Sequence, residues 1–182
     1  MRRTIVALLV PPLLVLFAGT ALASSVHLKG GPRAEPAFTD NGLTLSASSA
    51  LSGLGNGDVD ITLDATADTT STCTNPAGAT QPPGQNPAPT DVTGGSSFPA
   101  TEIKNGTLPF QVDTNAPVTP IPGAPDCPNS RWSEDITDLA FTSATITVEQ
   151  PPGTVVLTVE CTFSEPTSDG AVPSGDVSCT SS

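Results

Sequence analysis

The chain has 182 residues, with 18 Asp and Glu against 6 Lys and Arg and a formal net charge of −12. That balance counts against a nucleic-acid partner, which needs a basic patch to neutralise phosphates, and it makes an anionic membrane surface repulsive. One histidine, one tryptophan and no tyrosine leave little for imidazole chemistry or for aromatic ligand platforms.

Arg2 and Arg3 open the chain, Thr4–Phe17 is almost wholly apolar, and Ala21-Leu22-Ala23 gives a small-x-small pattern before Ser24. This order predicts a signal peptide over residues 1–23, cleaved between Ala23 and Ser24. The apolar run is short for a bilayer span, and Pro11-Pro12 interrupts it. No cysteine follows the cut to carry a lipid, and no apolar segment closes the chain. The expectation is therefore a secreted protein whose mature form has no membrane anchor. Losing Arg2 and Arg3 leaves 4 basic residues against all 18 acids, a net charge of −14.

Residues 24–42, with Gly30-Gly31-Pro32 and little periodicity, are expected as an extended N-terminal segment. A single domain is expected over residues 43–182. Leu43, Leu45 and Ala47 alternate with Thr44, Ser46 and Ser48, the period of a first strand. Asn56-Gly57 then reads as a tight turn into a second strand, with a bulge near Gly53 or Gly55 to bring the two apolar faces into match.

Val59–Thr74 is the clearest element. Val59, Ile61, Leu63, Ala65, Ala67, Thr69, Ser71 and Cys73 alternate with Asp60, Thr62, Asp64, Thr66, Asp68, Thr70, Thr72 and Thr74. A period of two over such a length predicts an antiparallel strand with one dry and one wet face.

Residues 75–90 are rich in Pro, Gly, Asn and Gln, and are read as a loop. Lys104-Asn105-Gly106-Thr107 reads as a second hairpin turn. After it Leu108, Phe110 and Val112 share a face, and Pro109 assigns that strand to a sheet edge or a bulge. Residues 115–129 form a second proline-rich loop ending near Cys127. Ala144, Ile146 and Val148, the turn Gln150-Pro151-Pro152-Gly153, and Val155, Leu157, Val159, Cys161 and Phe163 read as a long hairpin. A short strand is expected at Asp176–Cys179. With no helical periodicity, the fold class is all-β, a single antiparallel β-sandwich of immunoglobulin-like architecture with long proline-rich loops; a barrel is the runner-up.

Four cysteines in an exported chain read as two disulfides. Cys73 and Cys127 each sit where a proline-rich loop meets the framework, which favours Cys73–Cys127 with Cys161–Cys179. The main rival pairs Cys73 with Cys161, since both face the core by parity. A metal site fails on cysteine spacing, and the only histidine, His27, lies near the new N-terminus.

No catalytic constellation emerges, and no cofactor is implied. His27 is badly placed for a nucleophilic triad, and Asp60, Asp64 and Asp68 fall on a periodic wet face. Asn56, Asp58 and Asp60 resemble the start of an EF-hand loop, but Ile61 and Ala67 occupy its glycine and glutamate positions; only a looser calcium site stays open. Trp132 fits a loop-anchoring or core role better than a sugar platform.

Two groups of motifs stand out. Cys73-Thr74-Asn75-Pro76-Ala77-Gly78 is followed by Pro83-Gly84-Gln85-Asn86-Pro87, and Gly53-Leu54-Gly55-Asn56-Gly57-Asp58 and Cys127-Pro128-Asn129 with Trp132 flank them. Together they resemble a set of uncharacterised secreted proteins common in actinobacteria, departing from it at Ala77. The resemblance implies a fold and no reaction.

The functional expectation is a secreted non-catalytic module that contacts an extracellular protein or surface ligand through its proline-rich loops. Pro76, Pro83, Gly84, Asn86, Ser130, Arg131 and Trp132 are the candidate contact residues. Two alternatives are a protease inhibitor presenting a rigid loop near Cys127 and a carboxylate-based hydrolase.

Overall fold

The computed structural model describes residues 25–31 and 33–182. The signal peptide expected over residues 1–23 and its cleavage point lie outside the described residues. Eleven strands are described: β1 (His27–Leu28), β2 (Ala37–Asp40), β3 (Leu45–Ser52), β4 (Val59–Thr74), β5 (Thr80–Gln81), β6 (Thr90–Phe98), β7 (Thr107–Asp113), β8 (Ser133–Glu149), β9 (Val155–Phe163), β10 (Gly170–Ala171) and β11 (Val177–Ser181). They form two sheets, and every pairing is antiparallel. In the first, β3 is central, with β7 along one side and β2 and β1 along the other, and β10 outside β2. In the second the order is β11-β9-β8-β4, with β6 and β5 sharing the far side of β4.

One apolar core unites the two inner faces. Phe38, Leu45, Ala47, Leu51, Leu108, Phe110 and Val112 of the first sheet join Val59, Ile61, Leu63, Ile146, Val148, Leu157 and Val159 of the second. Phe38 meets Phe163 edge to face, with ring centroids 5.2 Å apart. The two-sheet all-β architecture expected from the sequence is the one observed, and both favoured disulfides, Cys73–Cys127 and Cys161–Cys179, are formed.

The β4 alternation holds along its whole length. Val59, Ile61, Leu63, Ala65, Ala67, Ser71 and Cys73 are buried, with only Thr69 half-exposed among the inward positions. Its main partner β8 keeps pace through two irregularities. Thr137 and Thr142 are extra residues with no opposite number on β4. Each places its hydroxyl 3.2 Å from the β4 carbonyl beside it, Thr70 O and Thr66 O respectively. A bulge disrupts the ladder locally, and here threonine hydroxyls bond the affected carbonyls.

Three expectations are corrected. The strands through Leu45 and Val59 are not a hairpin. They lie in different sheets, so their apolar faces oppose each other across the core and no register-restoring bulge is needed. The connection between them is held by Gln150, a buried side chain that accepts from Gly55 N–H at 2.7 Å and donates to Gly57 O at 2.7 Å. Second, the domain does not begin at Leu43. β1 and β2 fall inside the segment expected to be a plain extended leader, and Leu28 and Phe38 are core residues. Third, Val155 is exposed rather than on the core face, because the β8–β9 register shifts at Glu149.

Lys104–Thr107 is a tight turn with positive φ at Asn105 (52°) and Gly106 (71°), the signature of a type I′ turn. It closes only a single bridge, because β6 and β7 also belong to different sheets. β7 is an edge strand, as Pro109 requires.

Candidate functional site

At one end of the second sheet, the C-terminus of β4 and the N-terminus of β8 project the two proline-rich loops. Cys73 on β4 is paired in register with Glu134 on β8, and its disulfide reaches Cys127 in the second loop. This bridge joins the loops to the framework, and a direct bond joins them to each other: Gly84 N–H donates to Asp126 O at 3.0 Å.

Glu134 is the organising residue. Its side chain has no exposed surface, and a carboxylate so placed needs hydrogen-bond donors. Ser71 Oγ donates to it at 3.0 Å and Asp126 N–H at 3.2 Å. Its main-chain carbonyl accepts from Ile121 N–H at 2.7 Å, while Thr119 Oγ1 accepts from Ile136 N–H at 3.0 Å. The second loop is therefore fastened along its length rather than only at Cys127. Sequence reading missed Glu134 because a single acid in the polar run Ser133-Glu134-Asp135 carries no sign of facing inward.

The first loop starts in a self-satisfied turn. Asn75 Oδ1 accepts from Ala77 N–H and Ala79 N–H, both at 2.9 Å, and Gly78 takes a φ of 86°. A side-chain carbonyl that substitutes for a main-chain partner in this way is why asparagine suits such turns. The turn leaves Pro76 exposed. Beyond it Gly84 and Asn86 are exposed and Pro83 is half-buried. Asn129 builds a similar turn, accepting from Arg131 N–H through Oδ1 at 3.0 Å and from Trp132 N–H through its main-chain carbonyl at 3.1 Å. Ser130 and Arg131 are exposed on that turn, and Trp132 is half-buried outside the main core. The seven residues picked from sequence thus divide between two loops that the disulfide and the Gly84–Asp126 bond bring together. No protein-family model, curated protein or solved structure compared with the chain matches it.

Two other polar sites bear on chemistry. A depression of about 370 Å³ on the outer face of the second sheet is lined by Asp64, Thr66, Asp91, Thr93, Ser143 and Thr145. Asp91 is engaged by Thr66 Oγ1 at 2.7 Å. The second site is Asp40, buried at the end of β2, which accepts from Gly42 N–H at 2.9 Å and from Thr167 Oγ1. Thr167 Oγ1 in turn accepts from Phe141 N–H at 2.8 Å, which ties β2 to β8. Burial pushes the Asp40 carboxyl above its ordinary range; the hydrogen bonds from Thr167 and Gly42 oppose the shift, and the neighbouring carboxylates Asp138 and Asp169 add to it. Among the described residues, no three His, Cys, Asp or Glu side chains converge as metal ligands.

Proposed function

We propose that this is a secreted, non-catalytic β-sandwich that binds an extracellular protein or surface ligand through the paired loops at residues 75–89 and 115–132. The observation that carries the reading is the fastening of those loops to each other and to Glu134. An exposed surface that is already ordered pays little conformational entropy on binding. Loops held on a rigid sheet are where binding residues concentrate. The two disulfides suit an oxidising compartment, and the apolar N-terminal stretch ending in Ala21-Leu22-Ala23 supports export. The likeness of the loop motifs to secreted actinobacterial proteins points the same way.

The hydrolase alternative has less support. Of the two carboxylates that line the outer-face depression, Asp64 and Asp91, the second is bonded to the neighbouring Thr66 hydroxyl. The inhibitor alternative is also weaker, because Ser130 and Arg131 sit in a closed turn rather than an extended segment. The test is to replace Gln81–Pro89 with a Gly-Ser linker of equal length and to cross-link both proteins in the producing organism's culture medium. A partner captured by the natural protein and lost with the replacement, at nearly unchanged thermal stability, supports the reading. Equal capture by both proteins contradicts it.

A further inference from the structure

The free sheet edges are protected to different degrees. β7 carries Pro109 within the strand, and β10 is only two residues long. The β6 edge is crossed at Asn115, whose N–H and Nδ2 reach Thr93 O at 3.0 and 2.8 Å. Proline, short length and covering segments are ordinary devices for keeping an edge from pairing with another chain. β11 has none of them. Val-Ser-Cys-Thr-Ser contains no proline and no charge, its ladder to β9 runs without a bulge, and among the described residues no strand pairs with its outer side.

The groups that face outward can be named. Ser182 exchanges both main-chain bonds with Thr158 at 2.9 Å, and Ser164 N–H donates to Asp176 O at 2.9 Å. Bonded and non-bonded pairs alternate in an antiparallel ladder. Hence Ser178 and Thr180 direct their main-chain groups at β9, and Val177, Cys179 and Ser181 direct theirs away. The 4.1 Å Cα separation of Cys161 and Cys179 fits a non-bonded pair, and their disulfide holds the row in place.

Both faces beside this edge have a definite character. Where the strand ends, a cavity of about 460 Å³ opens between the sheets, lined by Val26, His27, Gly31, Leu157, Ser181 and Ser182. On the outer face Thr180 stands beside Glu160, and the same face carries Asp60, Asp64, Asp68, Asp91 and Glu149. None of the strands of this sheet contains Lys, Arg or His.

We infer that the β11 edge is a strand-addition site for an extended segment of another protein in which basic and apolar residues alternate. The segment's main chain bonds the outward groups of Val177, Cys179 and Ser181. Its basic side chains lie along the acidic outer face beside Glu160, and an apolar side chain enters the cavity between Val26 and Leu157. A second copy of this chain is the poorer occupant, because edge-to-edge pairing would join two acidic faces. The site lies at the opposite edge of the second sheet from β5 and is independent of the loop reading.

The test is fluorescence anisotropy of a labelled Lys-Val-Lys-Val-Lys-Val-Lys peptide with the purified oxidised protein. Saturable binding is expected, weakened at least tenfold when the same residues are arranged in blocks or when the peptide's pairing edge is N-methylated. Ser181→Pro removes one outward N–H while sparing the bonds to β9, and it should weaken binding at least tenfold with an unchanged circular dichroism spectrum. Thr180→Lys, which places a positive charge in the peptide's path without touching the main chain, should do the same if the proline variant misfolds. Equal affinity for block and alternating peptides, or no effect of a folded variant, would overturn the inference. So would self-association abolished by Ser181→Pro, which would make a second copy the occupant. The Gln81–Pro89 replacement should leave peptide affinity unchanged, so the two readings fail separately.

Discussion

Gly94→Ala should be among the most damaging single-methyl additions to this protein. Gly94 lies on β6 where the chain leaving β7 passes directly over it. A Cβ there would sit 2.1 Å from Asp113 O, 2.8 Å from Thr114 Cα and 3.0 Å from Asn115 N. The main chain would have to separate by about 1 Å to restore ordinary contact, and that movement pulls on the two Asn115 bonds to Thr93 O. Thr114 is displaced with it, though it joins β3 by accepting from Leu45 N–H at 2.9 Å. Overpacking costs about 1–3 kcal/mol, and each weakened hydrogen bond about 0.5–1.5 kcal/mol. Restricting the unfolded chain returns only about 0.4–1 kcal/mol. The net loss is about 2–4 kcal/mol, a large share of the roughly 5–15 kcal/mol typical of a domain. In urea denaturation the midpoint should fall by about 1–2 M with the slope unchanged. Gly175→Ala is the control, since nothing lies within 4 Å of its Cβ position and its φ is not positive. If the two variants unfold at the same urea concentration, the close approach of the sheets at β6 is wrong.

Glu134→Ala should leave Asp126 N–H and Ser71 Oγ without their acceptor and cost about 2–4 kcal/mol; brief trypsin treatment should then nick the chain after Arg131 much faster than in the natural protein, while Glu134→Gln stays near it. Burial raises the Asp40 pKa above its ordinary value near 3.8, so the stability linked to the protonated group is fully present below that value and is lost as pH rises through the folded pKa. Urea titrations across this range should therefore show the natural protein losing stability relative to Asp40→Asn as pH rises from about 3.8 toward neutrality, and a difference that does not vary with pH would refute the burial. Loop entropy ranks the disulfides: Cys73–Cys127 closes 54 residues and Cys161–Cys179 closes 18, worth about 4 and about 3 kcal/mol at most, so the paired Cys→Ala variants should fall in that order by thermal melting.

Legibility in the sequence followed whether one strand satisfies one rule along its whole length. β4 does, and its inward and outward residues could be assigned one by one. β8 does not, because Thr137 and Thr142 each shift the phase by one residue; Leu139 and Phe141, between the two shifts, are buried yet fall out of step with Ile136 before them and with Ala144, Ile146 and Val148 after them. β2 was hidden because its two inward residues are Phe38 and Asp40, and a buried aspartate resembles a wet-face residue. The apparent β3–β4 hairpin arose from local turn chemistry at Asn56-Gly57, which cannot indicate whether the next strand stays in the sheet or crosses to the other. The loops and their disulfide were legible from proline clusters and cysteine placement. Their fastening to Glu134 was not, because it depends on a contact between segments far apart in the chain.

Cys73–Cys127 closes the loop platform, and the scarcity of basic residues makes that bridge easy to read. Beyond Arg33 the only tryptic sites are Lys104 and Arg131, so digestion leaves residues 34–104 with Cys73, 105–131 with Cys127, and 132–182 with Cys161 and Cys179. Mass spectrometry of the unreduced digest should show the first two fragments joined and the third on its own with an internal bond. All three fragments joined in one species would contradict the pairing and the platform built on it.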